Sequence, residues 1–127
     1  MPKFDRFKIN DLTEYLYNSY VHDANIEITT YDRKKQIFTI ELFNPIFNSR
    51  ISLTFEEVKA ILSISGNEPG NRETIISLTA EKDYSYLEKC VNICGDFLSD
   101  SVYLLFQMFS GDELHIVSKN VIIRDAE

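Results

Sequence analysis

Three segments between residues 26 and 55 alternate apolar and polar side chains, and this pattern constrains the fold more than any other feature. Ile26 and Ile28 alternate with Glu27 and Thr29, and the runs Ile37–Phe43 and Arg50–Phe55 repeat the pattern. A period of two is typical of a strand with one buried face. Because the breaks between the segments are short, the sequence predicts an antiparallel meander of three strands.

Residues 55–65 allow two interpretations. Thr54 and Glu57 have the T-x-x-E spacing of a capping box, and Val58, Ile61 and Leu62 follow at helical spacing. This pattern predicts a short helix from about residue 55 to residue 63. The alternative is a continued, bent strand, because residues 61–65 also alternate in part.

Two further segments predict helices. Residues 7–20 carry an apolar face, and Asn10 is the expected N-cap of about two turns. Ser85 and Glu88 form a second capping-box pattern, which opens the most regular helical stripe of the chain. The residues of this stripe are Leu87, Cys90, Val91, Cys94, Phe97 and Leu98.

The remaining apolar segments predict strands at Thr74–Thr79 and Val102–Phe109, followed by 114–117 and 121–123 as one bulged strand or two. The 127 residues suit a single domain, 1–127. We therefore expect an α+β fold: about six mostly antiparallel strands in a curled sheet or half-barrel, with two or three helices packed on one face of it. The strand order does not follow from the sequence.

The charge balance is acidic. The chain has 13 basic and 20 acidic residues and a net charge of −7, of which −5 lies after residue 80. No Lys or Arg occurs from Cys90 to Ser118, a stretch that contains Asp96 and Asp100. Such a balance disfavours nucleic acids and anionic membranes as partners, whereas it favours a basic protein.

The expected location is the cytoplasm. The N-terminal residues are interrupted by charges and contain no apolar region of a signal peptide, and no apolar run approaches the roughly 20 residues that span a bilayer. Cys90 and Cys94 are four residues apart on the predicted helix, too far for an undistorted disulfide. We expect two buried free thiols in a reducing compartment.

The His22-Asp23 doublet is the first candidate site. Metal-dependent phosphohydrolases with a His-Asp doublet also need a further His and Asp on helices, but the only other histidine here is His115, on a predicted strand. The local interpretation is that Asp23 caps a turn and His22 packs at a corner between helix and strand. A binding role for the pair remains open.

No other motif predicts catalysis. The chain has no G-x-S-x-G elbow and no phosphate-binding glycine run, and the cysteines suit a core better than a zinc knuckle. We therefore expect no cofactor and no metal site. The seven tyrosines are numerous for a small domain, and exposed tyrosines such as Tyr17 and Tyr84 are typical of protein interfaces.

The stretch from His22 to Val58 resembles small bacterial domains of largely unassigned function, some of which are similar to immunity proteins of polymorphic toxin systems. The pattern is H-D-x-x-I, then a hairpin, then I-x-L-x-F-x-x-V, over about a third of the chain. The matching residues are His22, Asp23, Ile26, Tyr31, Ile40, Leu42, Ile51, Leu53, Phe55 and Val58. The resemblance implies a cytoplasmic, non-enzymatic binding protein and carries over no catalytic residue.

Two functional hypotheses follow. The leading one is a protein-binding domain, an immunity-like inhibitor of a basic partner, with His22, Asp23, Asp96 and Asp100 as binding residues. The alternative is a small-ligand-binding or metal-dependent enzyme domain. Its pocket would lie between the curled sheet and the long helix, with His22 or His115 at its mouth.

Overall fold

The computed structural model of the chain describes residues 2–91 and 99–126. Seven strands and two α-helices make up this part of the chain, together with a short 3-10 helix at Arg6–Lys8. The strands are β1 (Lys3–Asp5), β2 (Asn25–Asp32), β3 (Ile37–Asn44), β4 (Ser49–Ile64), β5 (Ile75–Glu81), β6 (Val102–Met108) and β7 (Glu113–Ala126). The helices are α1 (Ile9–Tyr17) and α2 (Ser85–Val91).

All seven strands join one antiparallel sheet in the order β2-β3-β4-β7-β6-β5, and β1 also pairs with β7. The predicted α+β class and antiparallel meander are confirmed, with seven strands rather than six. The unpredicted strand is β1, whose three residues are too few to show an alternation. The C-terminal segment is one strand: β4 runs along one edge of β7, while β6 and β1 share the other edge.

The prediction of a helix from residue 55 to residue 63 is wrong, and the alternative prediction of a continued, bent strand is correct. β4 continues from Ser49 to Ile64 because β7 pairs with it over this whole length. Glu57 has a left-handed φ of 50°, and the register shifts between Val58 and Ala60. This bulge explains the helix-like spacing, since an extra residue breaks the period of two.

The sheet is not closed, but its two edges meet at one end. An isolated bridge joins Asn25, at the start of β2, to Thr74, just before β5. The Asp23 amide donates to the Ile75 carbonyl at 2.9 Å, and the Ile75 amide donates to the Ala24 carbonyl at 2.9 Å. These bonds join the segment after α1 to the start of β5.

The two helices contact different clusters of the core, so the expectation that they share one face is wrong. Leu12 and Leu16 of α1 belong to the main core with Leu104 of β6. Leu87 of α2 packs with Tyr103 and Val117 in a smaller cluster. Successive residues of a strand point to opposite faces, so residues 103 and 104 place α2 and α1 on opposite sides of the sheet.

Both predicted N-caps are displaced. Asp5 caps the 3-10 helix by accepting from the Phe7 amide at 3.0 Å, and Asn10 lies inside α1. Ser85 is the first residue of α2, and its amide and hydroxyl both donate to the Asp83 carboxylate. A carboxylate is the stronger acceptor, so the Ser85 hydroxyl acts as a donor.

The rest of the predicted long helix, including Cys94 and Asp96, lies outside the described residues. Among the described residues, no helix is long and apolar enough to cross a membrane.

Candidate functional site

The His22-Asp23 doublet lies at the predicted corner between α1 and β2, but His22 is exposed there rather than packed. The His22 Nδ1 atom is 3.0 Å from the Asp23 carboxylate, and the Asp23 side chain is half-buried. Asp23 has a left-handed φ of 67°. His22 lines none of the cavities described below, and no group of three or more His, Cys, Asp or Glu within residues 2–91 and 99–126 could hold a metal ion. The doublet is thus an exposed turn feature.

The acidic C-terminal stretch is partly neutralised within the chain. Asp100 forms a short ion pair with Lys59, which lowers the pKa of the Asp100 carboxyl. Asp112 accepts from the Gly66 amide at 2.7 Å and from Arg72 at 2.6 Å. Asp96, the other predicted binding residue of this stretch, lies outside the described residues. A partner at Asp100 would therefore have to compete with Lys59.

Cys90 is a free thiol, but it is exposed rather than buried. Three residues turn a helix by about 300°, so Cys90 lies roughly 60° around the helix from the buried Leu87. Its thiol shares a hydrogen bond with Tyr86, which raises the pKa of the Tyr86 hydroxyl. Tyr84, which was expected to be exposed, is buried, and its hydroxyl donates to the Ser101 carbonyl.

A cavity of about 450 Å³ lies beside the first helix, and we call it the α1 cavity. Aromatic rings and carboxylates together form its wall. It is lined by Phe4, Asp11, Glu14, Tyr15, Asn18, Ser19, Tyr20 and Asp125. The helical spacing of 3 and 4 residues brings Asp11, Glu14, Tyr15 and Asn18 to one side of α1.

Tyr15 and Asp125 close one side of the α1 cavity. The Tyr15 hydroxyl donates to the Asp125 carboxylate at 2.5 Å, and the rings of Tyr15 and Phe4 are 5.5 Å apart. Burial raises the pKa of Tyr15 to about 12, and the hydrogen bond and charge of Asp125 add to the rise. The phenol is therefore neutral at physiological pH and fixes the position of the carboxylate.

The three carboxylates of the α1 cavity have no cationic partner among the residues that the structure describes. Within residues 2–91 and 99–126, no Lys or Arg forms an ion pair with Asp11, Glu14 or Asp125. The cavity therefore presents negative charge beside apolar rings, a combination that suits the stem and head group of a lysine or arginine side chain.

The α1 cavity continues into an exposed apolar surface at the β3–β4 turn. Tyr20 lines the cavity and stacks on Phe47 with ring centroids 4.7 Å apart. Phe47 is 59% exposed and its neighbour Ile46 is 67% exposed. We call Tyr20, Ile46 and Phe47 the aromatic tip.

Asn44 holds the aromatic tip in place. Its side chain is fully buried, and its amide donates to the carbonyls of Tyr20 at 2.9 Å and His22 at 3.1 Å. Its oxygen accepts from the amides of Ile46 and Phe47. One buried amide thus joins the turn after β3 to the segment after α1 and positions both stacked rings.

A second cavity, of about 360 Å³, lies between α2 and the sheet, and we call it the α2 cavity. It is lined by Glu81, Asp83, Tyr86, Tyr103, Leu105, Glu113 and His115. His115 is buried, with its Nδ1 atom 2.6 Å from the Tyr103 hydroxyl and its Nε2 atom 2.9 Å from Glu113. The sequence placed a pocket between sheet and helix near His115, but it did not indicate the Tyr103 and Glu113 partners.

Sequence reasoning also missed the aromatic tip, although a signal was present. The stretch Asn44-Pro45-Ile46-Phe47-Asn48 puts two large apolar residues inside a predicted turn, where they cannot reach the core of a short hairpin. Exposed apolar residues in such a position are typical of a contact surface.

Comparison with known proteins yields no relative: no protein-family model, no curated protein and no solved structure matches the chain. The likeness to immunity proteins therefore stays a prediction.

Proposed function

We propose that this chain is a non-enzymatic protein-binding domain that docks a basic partner on the α1 cavity and the aromatic tip. The observation that carries the proposal is the continuity between the two surfaces through Tyr20. Three carboxylates, for which the described part of the chain supplies no cationic partner, lie beside two stacked, exposed rings. Large exposed apolar groups next to charge are typical of interaction sites, and buried aromatic anchors dominate the binding energy of interfaces.

The two parts of this surface have different roles in binding. Phe47 and Ile46 would supply apolar area that is buried on docking, while Asp11, Glu14 and Asp125 would attract a basic side chain into the cavity. The bonds of Asn44 fix the tip before binding, which lowers the entropy lost on association. Complementary charge speeds association and selects against acidic partners.

His22 and Asp23 belong to the margin of this surface. The carbonyl of His22 accepts from the same Asn44 amide that holds Tyr20, and the His22 side chain is exposed. Asp100 is assigned a smaller part than Asp11 and Glu14, because Lys59 already neutralises it. Asp96 remains a candidate contact from the sequence alone.

The resemblance to immunity proteins supports one specific form of the proposal, an inhibitor of a basic toxin domain in the bacterial cytoplasm. A curled sheet whose edges meet at Asn25 and Thr74 would give such an inhibitor a rigid base for its contact surface. The net charge of −7 agrees with a basic target.

Affinity capture with matched variants tests the proposal. The wild type, Phe47→Ser and Asp11→Asn/Glu14→Gln are immobilised, with Phe109→Ser and Glu68→Gln/Glu73→Gln as controls for an exposed ring and for lost charge elsewhere. Lysate of the source organism is applied at about 50 mM and about 500 mM salt, which screen charge to very different extents. Captured proteins are quantified by mass spectrometry.

We expect at least one basic protein whose capture falls at high salt and with both test variants, but not with the controls. An equal loss of capture with the control variants would mean that binding depends on overall charge or on non-specific hydrophobic contact rather than on a docking surface. Capture that is unchanged by Phe47→Ser and by the double substitution would assign binding to another part of the chain.

A further inference from the structure

A hydrogen-bond chain joins Glu113, His115 and Tyr103 in the α2 cavity. The Nε2 atom of His115 lies 2.9 Å from the Glu113 carboxylate, and an ionised carboxylate accepts from the ring N–H. In the neutral imidazole the Nδ1 atom is then an acceptor, and it takes the proton of the Tyr103 hydroxyl at 2.6 Å. Tyr103 is buried, and in this arrangement its proton is committed to His115 while its oxygen accepts a further bond.

Two further carboxylates, those of Glu81 and Asp83, line the cavity. The Tyr86 hydroxyl shares a hydrogen bond with Cys90. Burial raises the pKa of Tyr103, and the charges of Glu81 and Glu113 raise it further, so both carboxylates lie within electrostatic reach of the buried phenol. A ligand that donates hydrogen bonds and carries positive charge therefore complements this cavity.

Aromatic rings form the remaining wall. The Tyr86 ring stacks on His115 with centroids 5.4 Å apart, and Tyr103 lies tilted against His115 at 5.8 Å. Ring faces of tyrosine attract cations, and Leu105 adds an apolar surface for a hydrocarbon stem. The volume of about 360 Å³ accommodates a short alkyl chain with a charged head.

We propose that the α2 cavity binds a primary alkylammonium group, from either a free amine or a lysine side chain, with Glu81 as the main charge partner. This site is separate from the α1 cavity and goes beyond the proposed docking function. Glu113 orients His115 and, through it, the Tyr103 oxygen, so it acts as a positioning residue.

Titration with a matched pair of small probes tests the proposal. Binding of n-pentylammonium and of n-pentanol, its neutral analogue, is followed by the NMR signals of the Tyr86 and Tyr103 rings. The Glu81→Gln variant removes one negative charge from the cavity, and Glu68→Gln removes one from an exposed loop as the control. Far-ultraviolet circular dichroism of each variant checks that the fold is intact.

We expect saturable binding of n-pentylammonium, little or none of n-pentanol, and an affinity about tenfold lower for Glu81→Gln with no change for Glu68→Gln. Should Glu81→Gln not fold, Tyr86→Leu provides the second test, with an affinity lower by roughly three- to tenfold. Absence of saturation, equal binding of the alcohol, or an equal effect of both glutamate substitutions would overturn the assignment.

A third probe distinguishes the two sources of the ammonium group. Tighter binding of n-pentylammonium than of Nα-acetyl-lysine-N-methylamide indicates a free amine, because the cavity then excludes a peptide backbone. Tighter binding of the lysine derivative indicates a side chain presented by a protein. Either order supports an ammonium site.

Discussion

The buried Asn44 side chain donates a hydrogen bond to the Tyr20 carbonyl at 2.9 Å and accepts one from the Ile46 amide at 2.9 Å. These bonds connect two segments that are 24 residues apart in the sequence. Tyr20 and Ile46 lie in turns, whereas Asn44 is the last residue of β3, so this one amide fixes the aromatic tip to the end of a strand.

Replacement of Asn44 by alanine should destabilise the protein by about 2–4 kcal/mol, because the substitution leaves buried backbone groups without partners. Urea unfolding measures the loss, with the exposed Asn67→Ala as the matched control. The tip should also loosen, which would weaken partner capture even where the variant is fully folded. A loss below about 0.5 kcal/mol would show that water replaces the amide without cost.

Glu57 should tolerate glycine better than a branched residue. Its φ of 50° lies in the left-handed region, which costs an ordinary residue about 1 kcal/mol. Glu57→Gly removes that cost, although the unfolded chain gains entropy, so we expect a net change between zero and about 1 kcal/mol of added stability. Glu57→Val should destabilise by about 1 kcal/mol or more.

Thermal unfolding of the two variants, compared with Glu56→Gly and Glu56→Val, tests this order. Glu56 is the adjacent residue of the same strand and has no left-handed φ. There, valine should be the better residue and glycine the worse one. The same ranking at both positions would mean that the bulge does not persist in solution.

The difference between what the sequence predicts and what the fold shows has a physical origin at these residues. The β3 strand was predicted correctly because Phe38, Ile40 and Leu42 each face the core and leave a local alternation in the sequence. The continuation of β4 past Glu57 depends on pairing with residues 113–118, which are 49 to 60 positions away. A local sequence pattern cannot show such a pairing. The T-x-x-E spacing of Thr54 and Glu57 occurs here inside a strand and not at the start of a helix.

The α1 cavity shows the same limit. Asp11 and Glu14 could be placed on one helix face from their spacing, but Asp125 reaches them only through the sheet, 110 residues from Tyr15. The aromatic tip was not predicted, but the sequence carries a local signal for it, since Ile46 and Phe47 form an apolar pair inside a turn.

Tyr15 makes stability depend on pH in the alkaline range. Its pKa is about 12 in the folded protein and about 10 in an unfolded chain. The folded state therefore favours the neutral phenol, and this contribution to stability is complete below pH 10 and is lost as the pH rises to about 12. Denaturant unfolding of wild type and Tyr15→Phe at pH 9 and at higher values measures it.

Tyr15→Phe should be less stable at pH 9 by about 1 kcal/mol through the lost hydrogen bond, and the difference should shrink or reverse as the pH rises. Tyr17→Phe is the matched control, because Tyr17 is 89% exposed. A constant difference at all pH values would contradict the link between Tyr15 and Asp125.

Asp112 makes stability depend on pH in the acidic range. The amide of Gly66 donates to its carboxylate at 2.7 Å, and this bond lowers the pKa of Asp112, assisted by Ser110 and by the charge of Arg72. The folded state favours the ionised carboxylate. The resulting stability is present above the ordinary aspartate pKa of about 3.9 and is lost as the pH falls through the lower folded value.

Asp112→Asn should therefore unfold at a lower temperature than the wild type at pH 7, and the two melting curves should converge as the pH falls below about 4. The backbones of residues 66 and 111 lie too close for a Cβ atom at Gly66, and the Asp112 carboxylate holds the Gly66 amide at this close contact. Glu73→Gln, an exposed carboxylate of the same region, should follow the wild type at every pH. Melting curves of Asp112→Asn that stay apart by the same amount at pH 3 and pH 7 would show that Asp112 acts by shape and not by charge.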